Sequence, residues 1–259
     1  NRVIMVLSKI RVLRSHGRQA IPDLRTVELP DTFRGRPVIS GGMSEEESAE
    51  LEAMCPSGAI VASPFTIRLD RCIFCNECAK RFPRAIRFTS DYRLATNDLD
   101  RLSVREGSPQ RITLDENRVR GEIRRHFGRS LRLREVSAGG DNSTEMELNA
   151  TMNVNFDFAR YGVEFTASPR HADGIVITGP ITENMAVPLE LAYNAVASPK
   201  LLILAGTDAV SGGMFAGTPA LDRSFLGRFT PDLYVPGNPV HPLTFIHGIM
   251  SLLGCFPNS

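Results

Sequence analysis

Four of the five cysteines in this chain, Cys55, Cys72, Cys75 and Cys78, crowd between positions 55 and 78, while Cys255 stands alone near the end. Two-residue gaps of this kind point to a metal centre in a reducing compartment rather than to a disulfide framework. The stretch "RCIFCNECAKRFPRAI" carries Cys72, Cys75 and Cys78 at CxxCxxC spacing, but Phe82 stands where a bacterial iron–sulfur run places a fourth cysteine before proline. In two-cluster runs the fourth cysteine ligates the other cluster. Cys55-Pro56 is then the fourth position of an earlier run whose first three positions read Glu45, Ser48 and Leu51. Cys55, Cys72, Cys75 and Cys78 together hold one [4Fe–4S] cluster on this reading. Glu45, Ser48, Leu51 and Phe82 mark a second site that has lost all its ligands. A zinc site with four thiolates is the alternative, although such sites more often show two CxxC pairs.

The rest of the chain bounds the setting. Its 259 residues suffice for one large domain or two ordinary ones, and 42% hydrophobic and 23% charged content is that of a globular protein. A net charge of +1 gives no electrostatic case for nucleic acid. No apolar run is long enough for a transmembrane helix, and "VIMVL" near the start is too short for a signal-peptide core. "NRVIMVLSKIRVLRS" has apolar residues at 3, 4, 6, 7, 10 and 13 among basic ones, the pattern of a basic amphipathic helix. Such a helix either docks on a membrane surface or packs on its own domain.

Four segments are expected: a helix and strap over 1–32, a cluster domain over 33–93, a connector over 94–127 and an α/β domain over 128–259. Ser44 and Glu47 have capping-box spacing before a helix over 44–55. "AIVASPFTIRLDR" reads as strand–turn–strand, and "RLSVRE" and "SPQRITLDE" suggest some β-structure in the connector. From 129 onward, "LRLREVSAG", "DGIVITGP" and "KLLILAGT" read as strands, with helices at "DNSTEMELNATM" and "TENMAVPLELAYNAVAS" between them. This alternation predicts a parallel sheet covered by helices.

"FRGRPVIS", "CPSGAI" and "CIFCNECAKRFPRAI" resemble the ferredoxin-type subunit of complex I and of membrane-bound [NiFe] hydrogenases. "GRSLRLREVSAG", "SPRHADGIVITGPITENM", "SPKLLILAGTDAVSGGMF" and "YVPGNPVHP" resemble the small subunit that carries the terminal cluster in the same complexes, with hydrogenase-type subunits of formate hydrogenlyase and energy-converting complexes nearest. The resemblance implies an α/β protein: a ferredoxin-like α+β cluster domain followed by a flavodoxin-like parallel α/β domain. It implies a large-subunit-like partner, membrane subunits of the same complex and a peripheral place on the cytoplasmic face of the cell membrane, with membrane contact through partners or the N-terminal helix. The family's terminal-cluster cysteines fall on Asp141, Thr144, Asp208 and Asn238, so that cluster is expected to be missing as well. Four thiolates replaced by oxygen groups do not hold an iron–sulfur cubane. A hydrogen-bonded polar patch, a hard cation such as Mg²⁺ or loosely held water is left for that position. Glu147 matches the acidic residue of the family's cluster helix, and Gly206, Gly212 and Gly213 match its close-backbone loops. Arg170 of "SPRHAD" faces the cluster neighbourhood in relatives. His171, His241 and His247 read as surface or loop residues, no Ser/His/Asp arrangement is legible, and no catalytic residue is expected. The chain is read as a scaffold with one cluster and no terminal wire, or else as an electron-transfer subunit with a re-routed path.

Overall fold

The structure, a computed structural model, describes residues 2–17, 19–109 and 111–257. Helix α1 (Arg2–His16) opens the chain, as expected. The side chains of residues 2–6 in the expected apolar stripe, and Arg18, lie outside the described residues. Leu7, Ile10, Val12 and Leu13 are all exposed, so this part of the helix does not pack on its own domain.

The cysteine unit is built from short pieces. Strand β1 (Pro37–Ile39) leads to α2 (Glu45–Met54), then β2 (Ile60–Val61), β3 (Thr66–Arg68), α3 (Glu77–Arg81) and β4 (Ile86–Phe88). Strand β1 pairs antiparallel with β4, and β2 with β3. The capping box forms as the sequence predicts: the Glu47 N–H donates to Ser44 Oγ and the Ser44 N–H donates to Glu47 Oε2. It satisfies N-terminal donors that the helix itself leaves unpaired.

The segment expected to be a connector is part of the fold. Its β5 (Ser103–Arg105) adds to β3 and makes a three-stranded sheet. "RITLDE" forms no strand. Ile112 and Leu114 are buried, but the backbone around them is held by side chains. Thr96 Oγ1 donates to Thr113 O, Asn97 Nδ2 donates to Asp115 O, and the Asp115 N–H donates to Asn97 Oδ1.

After α4 (Gly121–Phe127) the chain enters the parallel sheet: β6 (Leu131–Ser137), α5 (Ser143–Ala150), β7 (Val163–Phe165), β8 (Gly174–Thr178), α6 (Glu183–Ala195), β9 (Leu201–Ala205), α7 (Thr207–Ser211), α8 (Ser224–Arg228), β10 (Leu233–Val235) and α9 (Pro242–Leu252). The five strands run parallel in the order β10-β9-β8-β6-β7. Numbered within the sheet, this is the 2-1-3-4-5 order of flavodoxin-like folds, and the expected α/β class stands. "GIVIT" and "LLILA" are buried at every position, which central strands covered on both faces require. The order reverses between β6 and β8, where ligands gather at the carboxyl ends of strands in such sheets. One buried core runs from Leu51, Ile67 and Ile86 of the cysteine unit into Ile175, Ile177 and Leu204 of the parallel sheet. Among the described residues no helix is long and apolar enough to cross a membrane.

Candidate cluster site and a polar cavity at the sheet reversal

Cys55, Cys72, Cys75 and Cys78 line one cavity, which holds about 390 Å³ of empty space with its mouth included. Each is delivered by a different local device. Cys55 caps the C-terminus of α2, its N–H donating to Glu52 O. The turn after β3 places Cys72, whose N–H donates to Arg68 O. Cys75 lies between Phe74 and Asn76, both left-handed at φ 53° and 71°, so the loop winds tightly around the cavity. Left-handed backbone at two non-glycine residues is costly and is a feature of binding loops. Cys78 lies in the first turn of α3.

The chemistry of this donor set fits an iron–sulfur cluster. Four soft sulfurs share an enclosure whose remaining wall is mostly apolar, with Ile60, Ile67 and Phe88 contributing. Backbone N–H groups already point at sulfur: Ala59 donates to Cys55 Sγ and Phe74 to Cys72 Sγ, both at 3.3 Å. Donors of this kind favour thiolate over thiol and tune a bound cluster. Against them, burial pushes the Cys72 thiol up to about 12 and the Cys78 thiol up to about 11, and the neighbouring cysteines push in the same direction. Only a strongly positive centre makes thiolates of these two at neutral pH. Among the described residues no three His, Cys, Asp or Glu side chains form a group that would hold a single metal ion.

The positions of the expected lost cluster have become ordinary protein. Leu51 is fully buried, Phe82 packs against the same core, Ser48 Oγ donates to Ser44 O, and Glu45 is exposed.

The second set of positions does converge. Asp141, Thr144, Asp208 and Asn238 all line a small cavity at the β6–β8 reversal, about 250 Å³ of empty space with its mouth included, together with Glu145 and the backbone of Gly179 and Gly206. Asp141 is held below the usual carboxylate range by Ser143, whose Oγ and N–H both donate to Asp141 Oδ1. Burial pushes Asp208 up, and the Asp141 charge adds to the rise. Gly206 (φ 100°) and Gly213 (φ 55°) bring backbone close: a Cβ on Gly213 would meet Asp208 Oδ1 at 1.8 Å.

Several residues of this region escape a sequence reading. Glu145 is buried on α5 and accepts from Thr178 Oγ1 at 2.7 Å. Burial, and then the Glu145 charge, push Glu135 up to about 7. Arg223 spends its guanidinium on four carbonyls, those of Pro180, Asp208, Ala209 and Val210, and so ties down α7. Arg223→Met is expected to lower stability by about 2–4 kcal/mol in urea unfolding, because buried carbonyls lose a charged donor. Thr207, fully buried at the start of α7, donates through Oγ1 to Cys72 O at 3.0 Å and joins the two cavities' frameworks. No sequence motif marks these four, since each acts through distant partners.

The histidines divide. His171 and Arg170 are exposed. His241 caps α9 by accepting from the Leu243 N–H, and it meets Phe33 edge-on. His247 is a correction: it lies in the core on α9, not on the surface, and burial, reinforced by Arg93, pushes it down to about 4. Cys255 is exposed and apart from the cysteine cavity.

Glu135 and His247 tilt the pH profile in opposite directions. Glu135 binds its proton more tightly folded than unfolded, so its contribution to stability falls as pH rises from about 4.5 to about 7. His247 is held neutral in the fold, so its contribution is lost as pH falls from about 6.5 to about 4. Urea unfolding across this window is expected to show Glu135→Gln stability rising more steeply with pH than wild type. His247→Gln stability is expected to slope the other way.

Comparison with known proteins bears on the later part of the chain. Residues 142–252 match the family model described as NADH ubiquinone oxidoreductase, 20 Kd subunit. The chain is 32% identical over 139 residues to the probable membrane-bound hydrogenase subunit mbhJ of Pyrococcus furiosus, covering 53% of this chain and 82% of that subunit. It is 32% identical over 150 residues to formate hydrogenlyase subunit 7 of Escherichia coli, covering 57% of this chain and 59% of that protein. It is 39% identical over 113 residues to an NADH-quinone oxidoreductase subunit of Clostridium beijerinckii, covering 41% and 64% respectively. The chain thus spans less than two thirds of the latter two. A chain in the structure of the archaeal membrane-bound sulfane sulfur reductase aligns with a TM-score of 0.45 and 22% identity, over 51% of this chain and 73% of that one.

Proposed function

The chain belongs to the NADH ubiquinone oxidoreductase 20 Kd subunit family, and on that premise we propose that it is a peripheral subunit of a membrane-bound complex related to complex I and [NiFe] hydrogenases. It carries one [4Fe–4S] cluster on Cys55, Cys72, Cys75 and Cys78, and it serves as a scaffold without a terminal cluster. One contrast carries this reading: four cysteines share one cavity, while Asp141, Thr144, Asp208 and Asn238 share the other.

When bound, such a cluster supplies one-electron redox chemistry and cross-links three segments of the chain. The chain's own residues hold it through four sulfurs, exclude water with Ile60, Ile67 and Phe88, and direct the Ala59 and Phe74 N–H groups at two of the sulfurs. Asp141 and Asp208 supply hard oxygens at the second cavity, and these do not fit an iron–sulfur centre. The units over 33–93 and 128–259 form the ferredoxin-like and small-subunit-like parts. The partners are a large-subunit-like protein and the membrane subunits of the same complex, on the cytoplasmic face of the membrane, with α1 as a further point of membrane contact.

A second reading has one observation in its favour. A cavity of about 710 Å³ of empty space, its mouth included, is lined by Ile73 and Phe74 of the cysteine loop and also by Glu147, Gly237 and Asn238 beside the polar cavity. Its walls join the cysteine loop to the neighbourhood of the polar cavity, the stretch that a re-routed path has to cross. Iron and acid-labile sulfide, measured on the purified complex, are expected at about four each per chain. About eight irons would overturn the loss of ligands. Turnover of hydrogen or quinone with electrons passing through this chain would overturn the scaffold reading in favour of the second.

A further inference from the structure

The polar cavity at the sheet reversal carries one sign of charge. Asp141, Glu145 and Asp208 line it, and among the described residues no lysine, arginine or histidine does. Arg223 lies close by but directs its guanidinium at four carbonyls, that of Asp208 among them. Glu145 is the most confined of the three acids, only 5% exposed. Its Oε1 accepts from Thr178 Oγ1, a neutral hydroxyl, and its Oε2 has no hydrogen-bond partner among the described residues. A carboxylate buried this far normally faces a cation or several donors, because desolvating it alone is costly. The surplus charge reaches its neighbours. Burial and then the Asp141 charge push Asp208 up, and burial and then the Glu145 charge push Glu135 up.

A hydroxyl joins the acids. Thr144, 9% exposed, lines the same cavity, and its Oγ1 has no partner among the described residues. Gly206 keeps that oxygen uncovered, since a Cβ there would stand 3.0 Å from Thr144 Oγ1. Among the described residues the sealed side-chain atoms without a partner are Arg36 Nε and Arg71 Nε. Thr144 Oγ1 and Glu145 Oε2 are therefore open, and the cavity is what they open to. The half-buried Asp208 carboxylate likewise accepts no hydrogen bond among the described residues.

We infer that this cavity binds one small, hard divalent cation of the Mg²⁺ class, held by the carboxylates of Glu145 and Asp208 and by Thr144 Oγ1, with exposed Asp141 adding charge at the mouth. Oxygen donors of this kind select hard cations over soft ones. Among the described residues no three acids close on a single point, which suits an ion that takes one or two carboxylates and keeps several waters. That is the habit of Mg²⁺, whereas Ca²⁺ takes six to eight oxygens. The inference rests on the reading of this cavity as free of a cluster, which the iron count tests by itself.

The test uses the full cluster-loaded chain. Magnesium and calcium chloride are titrated separately by calorimetry, with sodium chloride holding ionic strength constant. Saturable one-to-one binding of magnesium is expected, tighter than that of calcium. Glu145→Gln keeps an acceptor for Thr178, and Asp208→Asn keeps its shape; each is expected to weaken binding about tenfold. Thr144→Val, which removes only the hydroxyl, is expected to weaken it by a smaller factor. Exposed Glu183→Gln, outside the cavity, is expected to bind like the wild type. Magnesium should also raise the urea midpoint of the wild type and leave that of Glu145→Gln in place, which separates lost binding from lost folding. The inference is overturned if magnesium does not saturate, if calcium binds more tightly, or if Glu145→Gln and Asp208→Asn bind like the wild type. About four irons per chain without saturable magnesium binding removes this inference and leaves the cluster reading standing.

Discussion

Cys72→Ala is expected to take iron from about four atoms per chain to near zero, while Cys255→Ala leaves the content unchanged. Cys72 is the most buried of the four thiols, and its carbonyl is fixed from the other unit by Thr207. Removing its sulfur leaves three ligands around a cavity built for four. The loss does not stop at iron. A bound centre converts its binding energy into folding energy, because the site does not exist in the unfolded chain. Cys72→Ala should therefore also unfold at lower urea. The iron-free wild-type chain should match it, since both lack the cross-link that a bound centre provides. Cys255 is exposed and outside the cavity, which makes its variant the control. Iron and sulfide assays with urea midpoints decide the matter. Full iron in Cys72→Ala would remove Cys72 from the ligand set.

Rebuilding the second site has the next largest effect. A variant with cysteine at Asp141, Thr144, Asp208 and Asn238 together is expected to raise iron from about four to about eight per chain after reconstitution. The four positions already line one cavity, Gly206 and Gly213 keep the backbone close, and the sheet reversal is the customary place for a ligand. Each replacement is near in size, and two remove a charge, one at exposed Asp141 and one at half-buried Asp208. Single and double variants should gain nothing, because a cubane needs all four corners. The cavity is smaller than the cysteine cavity, about 250 against 390 Å³ of empty space, so some widening is required. If the quadruple variant folds but stays at about four irons, four cysteines at these positions do not suffice for a cluster.

Much of this was legible in the residues. The parallel sheet announced itself through "GIVIT" and "LLILA", since unbroken apolar runs suit strands covered on both faces. The capping box at Ser44 and Glu47 is local chemistry and formed as read. The cross-over count of the cysteine runs also led to one cavity, because CxxCxxC and a preceding Cys-Pro carry their geometry with them. What stayed hidden depends on long-range partners. Strand β5 was expected in "RLSVRE", but its pairing with β3, which makes the connector part of the fold, was not legible. His247 looked like a surface residue, yet α9 is buried along its whole length, and nothing in the immediate neighbours of a histidine reports that. Nothing in the sequence marks Arg36 and Glu145 as buried, because burial of a charge is decided by the fold around it. The N-terminal stripe was legible as a helix, but not what it covers: the described apolar side chains lie open.

The shared core has a consequence for how this molecule exists at low concentration. Two separate subunits come apart on dilution, and their ratio drifts with expression. Here Leu51 and Ile67 sit in one apolar mass with Ile177 and Leu204, and Tyr92 Oη donates to Leu24 O across the strap. The cysteine unit and the parallel sheet lie on one polypeptide, which fixes their one-to-one stoichiometry at any dilution, and the shared core couples the melting of one to the other.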